Sequence, residues 1–302
     1  MFSIEDFKPI TLDDKVLFQK HYEKYPTEHS DNLFTTLFSW MDYGKYRYCF
    51  IDNNLLLTSQ IKDVIQFRYV SGKYNKEIFA QLFKLAKQQQ SDYPIILIDS
   101  QTKNWLLKHY PKLTFEPFRD VFDYVYLASD LANLPGSKYS KIRNRLNKFK
   151  KNFSYTTEAI SEDNLKDVRD FLKRWCLWKD CDSDPLLENE KKAILKSMDY
   201  YIELELSGIA IIIDDKIEAI SVYEKMTSEM AVVHYEKGSP DYDGIYKAIN
   251  NETAKILQKN YKFINRESDM NLPGLRKAKM SYHTHHMVEV FNLSKQTLFN
   301  IV

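Results

Sequence analysis

Residues 264–282, INRESDMNLPGLRKAKMSY, place carboxylates and cations on the two sides of one Pro-Gly pair. Glu267 and Asp269 follow a short apolar segment, and Arg276 and Lys279 lie three residues apart beyond the pair, so they share one face of a helix. A carboxylate can orient or deprotonate a nucleophile, and cations can stabilise the oxyanion formed when that nucleophile attacks a carbonyl. The segment predicts an acyl-transfer site with these four residues as its catalytic groups. The alternative is a set of exposed ion pairs.

Residues 232–250, VVHYEKGSPDYDGIYKAIN, predict a strand, a loop and a helix. A helix that begins after such a loop can bind phosphate through its free N–H groups. The loop contains only two glycines, and Asp241 and Asp243 would repel a pyrophosphate. The segment therefore favours an acyl donor other than acyl-CoA, with a plain surface loop as the alternative. From both segments, the expected substrate-binding residues are Glu236, Lys237, Tyr246, Asn250, Asn265 and Tyr282.

Residues 137–151, SKYSKIRNRLNKFKK, contain seven basic residues and no acidic residue. Apolar residues recur along this segment at helical spacing, at Tyr139, Ile142, Leu146 and Phe149, as is typical of an amphipathic helix. Basic residues on such a helix can displace counterions from a phosphate backbone. The candidate nucleic-acid-binding residues are Lys141, Arg143, Arg145 and Lys148. A solvated, solubilising face is the alternative.

Other patterns in the chain give little support for metal or nucleotide chemistry. HTHH at 283–286 is not accompanied by paired cysteines or an HExxH pattern, so no metal site is predicted. The sequence contains no GxSxG, P-loop or GxGxxG pattern, which argues against hydrolase, NTPase and dinucleotide-binding functions. Three cysteines make no even disulfide framework and indicate a reducing compartment.

The overall composition is close to neutral, with 43 Lys and Arg against 42 Asp and Glu among 302 residues. Net charge therefore neither favours nor excludes nucleic acid, and any basic surface must be local. The N-terminus has no apolar signal-peptide region, and the longest apolar run, IAIII at 209–213, is too short to cross a bilayer. These features predict a soluble, cytoplasmic protein.

The same order of elements occurs twice along the chain. Each half predicts two helices, a hairpin, a strand, a helix and a short strand, although the two halves show no sequence repeat. The hairpins are YRYCFI-DNN-LLLTSQ and IAIII-DD-KIEAISVYE. Turn-forming residues in SDLANLPGS mark the boundary between the halves. We expect an α+β fold of two domains, 1–130 and 131–302, with the candidate site in the second.

Three blocks together resemble the phosphatidylglycerol lysyltransferase C-terminal-like family. They are FDYVYLASDLANLPGSKYSKIRNRLNKFKK, VVHYEKGSPDYDGIYKAIN and FINRESDMNLPGLRKAKMSYH. The resemblance covers most of the second half, and the first half fits the family's order of elements. It implies two tandem GNAT-like domains with mixed sheets flanked by helices, a fold that the Fem peptidoglycan aminoacyltransferases also use.

The resemblance also implies an activity. Characterised relatives transfer an amino acid from aminoacyl-tRNA to a lipid head group, so the expected donor and partner is aminoacyl-tRNA. The sequence shows no counterpart of the large N-terminal membrane domain of the lipid-modifying relatives. The expected acceptor is therefore a small molecule or a lipid head group carrying an amine or a hydroxyl. The alternatives are an N-acyltransferase that uses acyl-CoA and a small amine, and a non-catalytic RNA- or phosphate-binding module.

Overall fold

The computed structural model describes residues 2–181 and 185–300. Their contacts divide them into two compact units, Met1–Phe122 with Val288–Val302, and Asp123–Met287. Each unit is built on one seven-stranded mixed sheet with helices packed against it. The predicted α+β class is confirmed.

Strands and helices are numbered in chain order. In sheet order, the strands of the first unit are β1 (Lys8–Pro9), β2 (Arg47–Ile51), β3 (Asn54–Ile61), β4 (Val64–Ser71), β5 (Ile95–Asp99), β14 (Val290–Leu293) and β6 (Phe115–Pro117). Its helices are α1 (Lys15–Lys24), α2 (Phe34–Ser39), α3 (Met41–Gly44), α4 (Lys76–Lys87), α5 (Ser100–His109) and α12 (Lys295–Phe299). All neighbouring strands in this sheet are antiparallel except β4 and β5.

The second sheet has the order β13 (His286–Val288), β7 (Asp123–Leu127), β12 (Phe263–Asn265), β11 (Met230–Gly238), β10 (Lys216–Lys225), β9 (Ser207–Ile213) and β8 (Thr156–Ala159). The helices of this unit are α6 (Ala128–Asn133), α7 (Ser140–Asn152), α8 (Leu165–Lys179), α9 (Pro185–Asp199), α10 (Ile245–Leu257) and α11 (Pro273–Met280). Strands β11 and β12 are parallel, and α10 connects them.

The two units repeat one arrangement. Three antiparallel strands, β2–β4 or β9–β11, lead through a helix, α4 or α10, into a strand that pairs parallel to the third. The hairpins turn on residue pairs with positive φ, such as Asp52-Asn53 at 48° and 61° and Asp214-Asp215 at 48° and 59°. Asp and Asn tolerate this left-handed conformation, and the resulting turns match the twist of antiparallel strands. The predicted order of elements is confirmed.

Strand β11 contains a bulge at His234. Val222 of β10 pairs with Tyr235 and Tyr223 pairs with Val233, so His234 is an extra residue without a direct partner. A bulge re-aims the side chain of the extra residue and is common beside active sites. His234 is buried, so the bulge points an imidazole into the interior.

A strand that follows each repeat along the chain pairs in the sheet of the other repeat. Strand β7 follows the first repeat along the chain but pairs with β12, whereas β14 follows the second repeat and lies between β5 and β6. The contact-defined units therefore differ from the predicted ranges 1–130 and 131–302. Hydrogen bonding places residues 123–127 in the second sheet and residues 290–293 in the first.

We expect Leu293→Ala to lower the free energy of unfolding by about 2–5 kcal/mol, the usual cost of truncating a buried leucine. Leu293 is fully buried in the core of the first unit. Hydrogen exchange should accelerate in β5 and β6, which flank β14. Urea denaturation and hydrogen-exchange mass spectrometry measure both effects.

The control is Leu177→Ala, at a leucine that is 81% exposed, with an expected change within about 0.5 kcal/mol. Faster exchange confined to residues 270–287, which are nearer in sequence, would contradict the pairing of β14 with the first sheet.

Candidate active site

A pocket of about 330 Å³ opens in the second unit. Strand β11, the loop after β12, and helices α9, α10 and α11 line it. The ionisable side chains of its lining are Glu190, His234, Glu236, Lys237, Lys247, Arg266, Glu267 and Lys279, with the phenols of Tyr246 and Tyr282 beside them. Met270, Leu275 and Ala278 supply an apolar part. The mixture suits a ligand with both charged and aliphatic groups.

His234 bridges two carboxylates. Its Nδ1 lies 2.8 Å from Glu267 Oε1 and its Nε2 lies 2.9 Å from Glu224 Oε1. Burial disfavours the charged ring, but the hydrogen bonds to Glu224 and Glu267 raise the pKa of His234 to about 10. His234 is therefore an imidazolium that donates from both nitrogens.

Glu267 is the carboxylate of this bridge that reaches the pocket, with 30% of its side chain exposed. Burial raises its pKa above the usual value, against the opposing effects of His234 and Lys279. A carboxylate with a raised pKa is a better general base near neutral pH than an ordinary one. The geometry therefore makes Glu267 a candidate base.

Arg266 and Glu236 form a second buried ion pair. Arg266 Nη2 donates to Glu236 Oε2, and Asn250 Nδ2 donates to Glu236 Oε1 at 2.9 Å. Within the described residues, the Nε and Nη1 groups of Arg266 are buried and have no hydrogen-bond partner. Unpaired buried donors are costly, so these two N–H groups are candidates for binding a substrate oxygen.

Lys279 fixes the loop that carries both residues. Its ammonium donates to the main-chain oxygens of Arg266, Glu267 at 3.0 Å and Ser268 at 2.7 Å. Burial and the nearby Arg266 lower the pKa of Lys279 to about 8. Glu267 has φ of 57°, an unusual conformation for a residue with a side chain, which persists only where surrounding contacts enforce it. Because three carbonyl oxygens accept hydrogen bonds from the ammonium, we infer that Lys279 positions the loop.

Asp269 and Arg276 bind each other outside the pocket lining. Arg276 Nε and Nη2 donate to the two oxygens of Asp269 at 2.8 and 2.9 Å, and Tyr124 donates its hydroxyl to the same carboxylate at 2.6 Å. Burial opposes ionisation, but these donors hold the pKa of Asp269 well below its usual range. A fully buried, strongly acidic carboxylate is a poor base. We infer that the pair anchors the turn into α11.

Of the other predicted substrate-binding residues, some line the pocket and one supports the loop after β12. Lys237 pairs with Glu190 at 2.8 Å and lies 4.2 Å from the centre of the Trp175 ring, and Trp175 Nε1 donates to the hydroxyl of Tyr246 at 3.2 Å. Asn265 is fully buried below the pocket. Its amide donates to Asp123 and its oxygen accepts the main-chain N–H of Glu267 at 2.7 Å. Asn265 therefore supports the loop.

Lys247 lies in the first turn of α10 and lines the pocket. Its amine is 4.4 Å from the centre of the Tyr282 ring. Burial and the positive charge of Arg266 lower the pKa of Lys247 to about 8. Helix α10 begins at Gly244, with φ of 97°, where a Cβ would lie 3.1 Å from the carbonyl oxygen of Arg145. The glycine thus allows α7 to approach the helix start beside the pocket.

The structure brings together six of the residues predicted for catalysis or substrate binding. The pocket-lining ones are Glu236, Lys237, Tyr246, Glu267, Lys279 and Tyr282. Sequence reasoning missed His234, Lys247, Arg266 and Glu190, which also line the pocket. Arg266 lies in residues 264–282 and His234 in residues 232–250, but their partners lie on other elements, which spacing along the chain does not reveal.

Helix α7 presents part of its predicted basic face to solvent. Arg143 instead donates to the main-chain oxygens of Leu134 and Gly136. Lys148 lies 3.0 Å from Asp243 in an exposed ion pair. Lys141 and Arg145 are exposed and have no hydrogen bond or ion pair with any described residue. They are the two candidate nucleic-acid contacts that this structure leaves available.

Within residues 2–181 and 185–300, no helix is long and apolar enough to cross a membrane. The same residues contain no group of three or more His, Cys, Asp or Glu side chains that could hold a metal ion. His283 lies in a turn with φ of 56°, before β13 begins at His286.

Replacing His234 tests the doubly paired imidazolium through the pH dependence of stability. The folded state raises its pKa from 6.5 to about 10. The charged ring therefore stabilises the fold fully below pH 6.5, and this stabilisation is lost as pH rises towards about 10. The difference in free energy of unfolding between the unmodified protein and His234→Gln should shrink over this range by more than about 1.4 kcal/mol, the equivalent of one pKa unit.

Urea denaturation at several pH values between about 6.5 and 10 gives the difference. His283→Gln, on an exposed turn, is the matched control and should lack the dependence. A difference that grows with pH would show that His234 is not charged in the folded protein.

Comparison with known proteins identifies the family of the chain. A family model described as "Phosphatidylglycerol lysyltransferase, C-terminal" matches residues 22–293. No curated protein matches the chain. A crystal structure of a conserved protein of unknown function from Bacteroides thetaiotaomicron VPI-5482 is similar, with 28% identity, a TM-score of 0.89, and coverage of 95% of this chain and 98% of that chain.

Two more distant structures share the fold. L-PGS from Bacillus licheniformis is 12% identical with a TM-score of 0.62, covering 95% of this chain and 96% of that one. FemX is 11% identical with a TM-score of 0.56, covering 98% and 99%. These likenesses confirm the predicted fold, which the chain shares with L-PGS and FemX. Because the family model matches most of the length of this chain, the chain belongs to the phosphatidylglycerol lysyltransferase C-terminal family.

Proposed function

We propose that this protein is an aminoacyltransferase that moves an amino acid from aminoacyl-tRNA to an amine or hydroxyl acceptor. The observation that carries the proposal is the pocket, where the Glu267–His234 pair and the unpaired N–H groups of Arg266 lie on one loop and one strand. Membership of the family and the fold shared with L-PGS and FemX support it.

The reaction is a nucleophilic acyl substitution. The nitrogen or oxygen of the acceptor attacks the aminoacyl ester carbon, and a new amide or ester bond forms there. The bond between that carbon and the ribose oxygen of the tRNA breaks. The proton lost by the acceptor is returned to the ribose oxygen, so the products are the aminoacylated acceptor and free tRNA.

Glu267 is the proposed general base. It lies at the pocket surface, and its pKa is raised by burial. His234 holds one carboxylate oxygen, which leaves the second oxygen to accept the proton of the nucleophile. Lys279 and Asn265 keep the loop in the conformation that presents this carboxylate.

Arg266 is the proposed oxyanion-stabilising residue. Glu236 fixes the guanidinium through Nη2, and Asn250 orients Glu236 in turn. The remaining Nε and Nη1 groups can donate to the oxygen of the tetrahedral intermediate. Removal of one donor to the oxyanion typically lowers the rate about 10²–10³-fold.

The substrate-binding roles of the remaining lining residues follow from their positions. Tyr246 and Lys237 are held by Trp175 at one part of the pocket, and Tyr282 forms an aromatic wall beside Lys247. The donor tRNA is proposed to contact Lys141 and Arg145 of α7. Arg145 lies next to the start of α10, so the basic surface reaches the vicinity of the pocket.

The structure supports acyl-CoA less well than aminoacyl-tRNA as the donor. At the start of α10, where a pyrophosphate would bind, Asp243 and Asp241 supply carboxylates, and Asp243 is only partly neutralised by the exposed Lys148. No observation among the described residues favours this alternative over aminoacyl-tRNA.

Glu267→Gln should lower aminoacyl transfer at least about 10²-fold, because general-base catalysis typically contributes 10²–10⁴-fold. Glutamine keeps the size of the side chain and its contact with His234. The assay incubates the protein with a pool of charged tRNAs and measures labelled amino acid in amine, hydroxyl and lipid fractions. Glu229→Gln, at an exposed glutamate in a turn, is the matched control and should be unchanged.

Absence of transfer to every acceptor fraction by the unmodified protein would overturn the proposed function. If transfer occurs from acetyl-CoA and not from charged tRNA, the donor assignment is wrong. Full activity of Glu267→Gln would remove this residue as the base and leave the function in place.

Replacing Lys141 and Arg145 together by Glu should weaken tRNA binding at least tenfold in a filter-binding assay. Phosphate contacts by basic residues also make binding salt-dependent, so the slope of log affinity against log salt should become shallower. The control is Lys20→Glu with Lys112→Glu, two exposed lysines of the first unit that give the same change in net charge. Equal weakening in the control would mean that binding is nonspecific.

A cellular experiment separates catalysis from binding alone. If Glu267→Gln rescues a deletion phenotype and the α7 double variant does not, the protein acts as a non-catalytic RNA-binding module.

A further inference from the structure

The charges of the pocket point to the class of amino acid that it accepts. Three glutamates line the pocket, and each already has a cationic partner. Glu190 binds Lys237, Glu236 binds Arg266, and Glu267 binds His234. A positively charged side chain entering the pocket would therefore meet glutamates whose charge is already balanced by these partners.

Lys247 differs from these three glutamates, because it has no partner of opposite charge among the described residues. It lines the pocket, yet it makes no hydrogen bond or ion pair with any described residue, and its amine lies 4.4 Å from the centre of the Tyr282 ring. Arg266 lies 4.9 Å from the centre of the same ring. Two cations thus approach one aromatic side chain, and Glu236, a carboxylate that acts on both, is engaged by Arg266 and Asn250.

An unneutralised charge in a largely buried position is unfavourable, and its cost is visible here as a pKa of Lys247 lowered to about 8 by burial and by Arg266. A carboxylate beside Lys247 would restore its favourable ionisation. A lysyl or arginyl side chain would instead add a third positive charge. Met270, Leu275 and Ala278 supply apolar contacts for the methylene groups that would precede such a carboxylate.

We propose that the pocket selects an aminoacyl group with an acidic side chain, whose carboxylate pairs with Lys247, and that it disfavours lysyl and arginyl groups. The inference rests on the proposed function only in taking the pocket as the aminoacyl site. The α-ammonium group is common to all aminoacyl donors and does not discriminate among them. Lys247 is then the residue that determines specificity.

Binding of stable donor analogues tests the proposal without any catalytic step. The probes are 3′-amides of 3′-amino-3′-deoxyadenosine that carry glutamyl, glutaminyl or lysyl groups, since an amide in place of the ester is not a substrate for transfer. Isothermal titration calorimetry of the full chain at constant salt should show the glutamyl probe binding at least tenfold more tightly than the lysyl probe. The isosteric, uncharged glutaminyl probe should fall between them.

Variants of Lys247 assign the preference to its charge. Lys247→Met should abolish the preference for glutamyl over glutaminyl, and Lys247→Arg should retain it. Lys255→Met on the same helix is the matched control, because the amine of Lys255 binds Glu252 at 2.9 Å, and should behave like the unmodified protein. Circular dichroism of each variant checks that it folds.

Three results would overturn the proposal: tighter or equal binding of the lysyl probe, an unchanged preference in Lys247→Met, or no binding of any probe. Failure of the proposed function is distinguishable. Transfer of lysine from the tRNA pool would leave the aminoacyltransferase in place and remove the acidic selectivity. Glutamyl binding that depends on Lys247, without transfer from any charged tRNA, would support the acidic selectivity and overturn the proposed aminoacyl transfer.

Discussion

The ammonium group of Lys279 is the contact on which the rest of the site depends. It holds three successive main-chain oxygens, at residues 266–268, and so fixes a segment that runs against its local preference at Glu267. Neighbouring side chains on this segment point to different partners. Arg266 reaches Glu236 on β11, and Glu267 reaches His234 on the same strand. One buried lysine thus aligns two ion pairs with the bulged strand.

Buried ion pairs of this kind are weak evidence for stability. Removing charges from water costs several kcal/mol for each ion, and close pairing offsets this cost only when further hydrogen bonds complete the geometry. Here the additional hydrogen bonds are donated by Asn250 to Glu236 and by His234 to Glu224. The arrangement is better explained by function, since a rigid set of charges can meet a reacting group without moving. The pair of Asp269 and Arg276 has a structural role instead, because its charges bind each other outside the pocket lining and hold the turn into α11.

The sequence predicted the elements well, and it predicted the site less well, for a physical reason. Hairpins and helices depend on nearby residues, so Asp214-Asp215 and the apolar stripe of α7 were sufficient to place them. Whether a charged residue is reactive depends on which distant group it meets. Asp269 looked like a base in the segment 264–282, but Arg276 and Tyr124 saturate it. His234 carried no signal in the sequence, because its role arises from a bulge and from Glu224 on the neighbouring strand. Family resemblance correctly indicated the fold, and it could not supply these pairings.

The placement of β14 has a consequence for the order of folding during synthesis. A chain emerging from the ribosome makes β5 and β6 early, yet the strand that separates them in the sheet is completed only at Leu293. Until then, the first unit exposes two strand edges whose backbone groups have no partner, and such edges invite pairing with other chains. The second unit has its seven strands once residue 288 is made, before β14 appears. The part of the chain that is translated first is therefore expected to finish folding last.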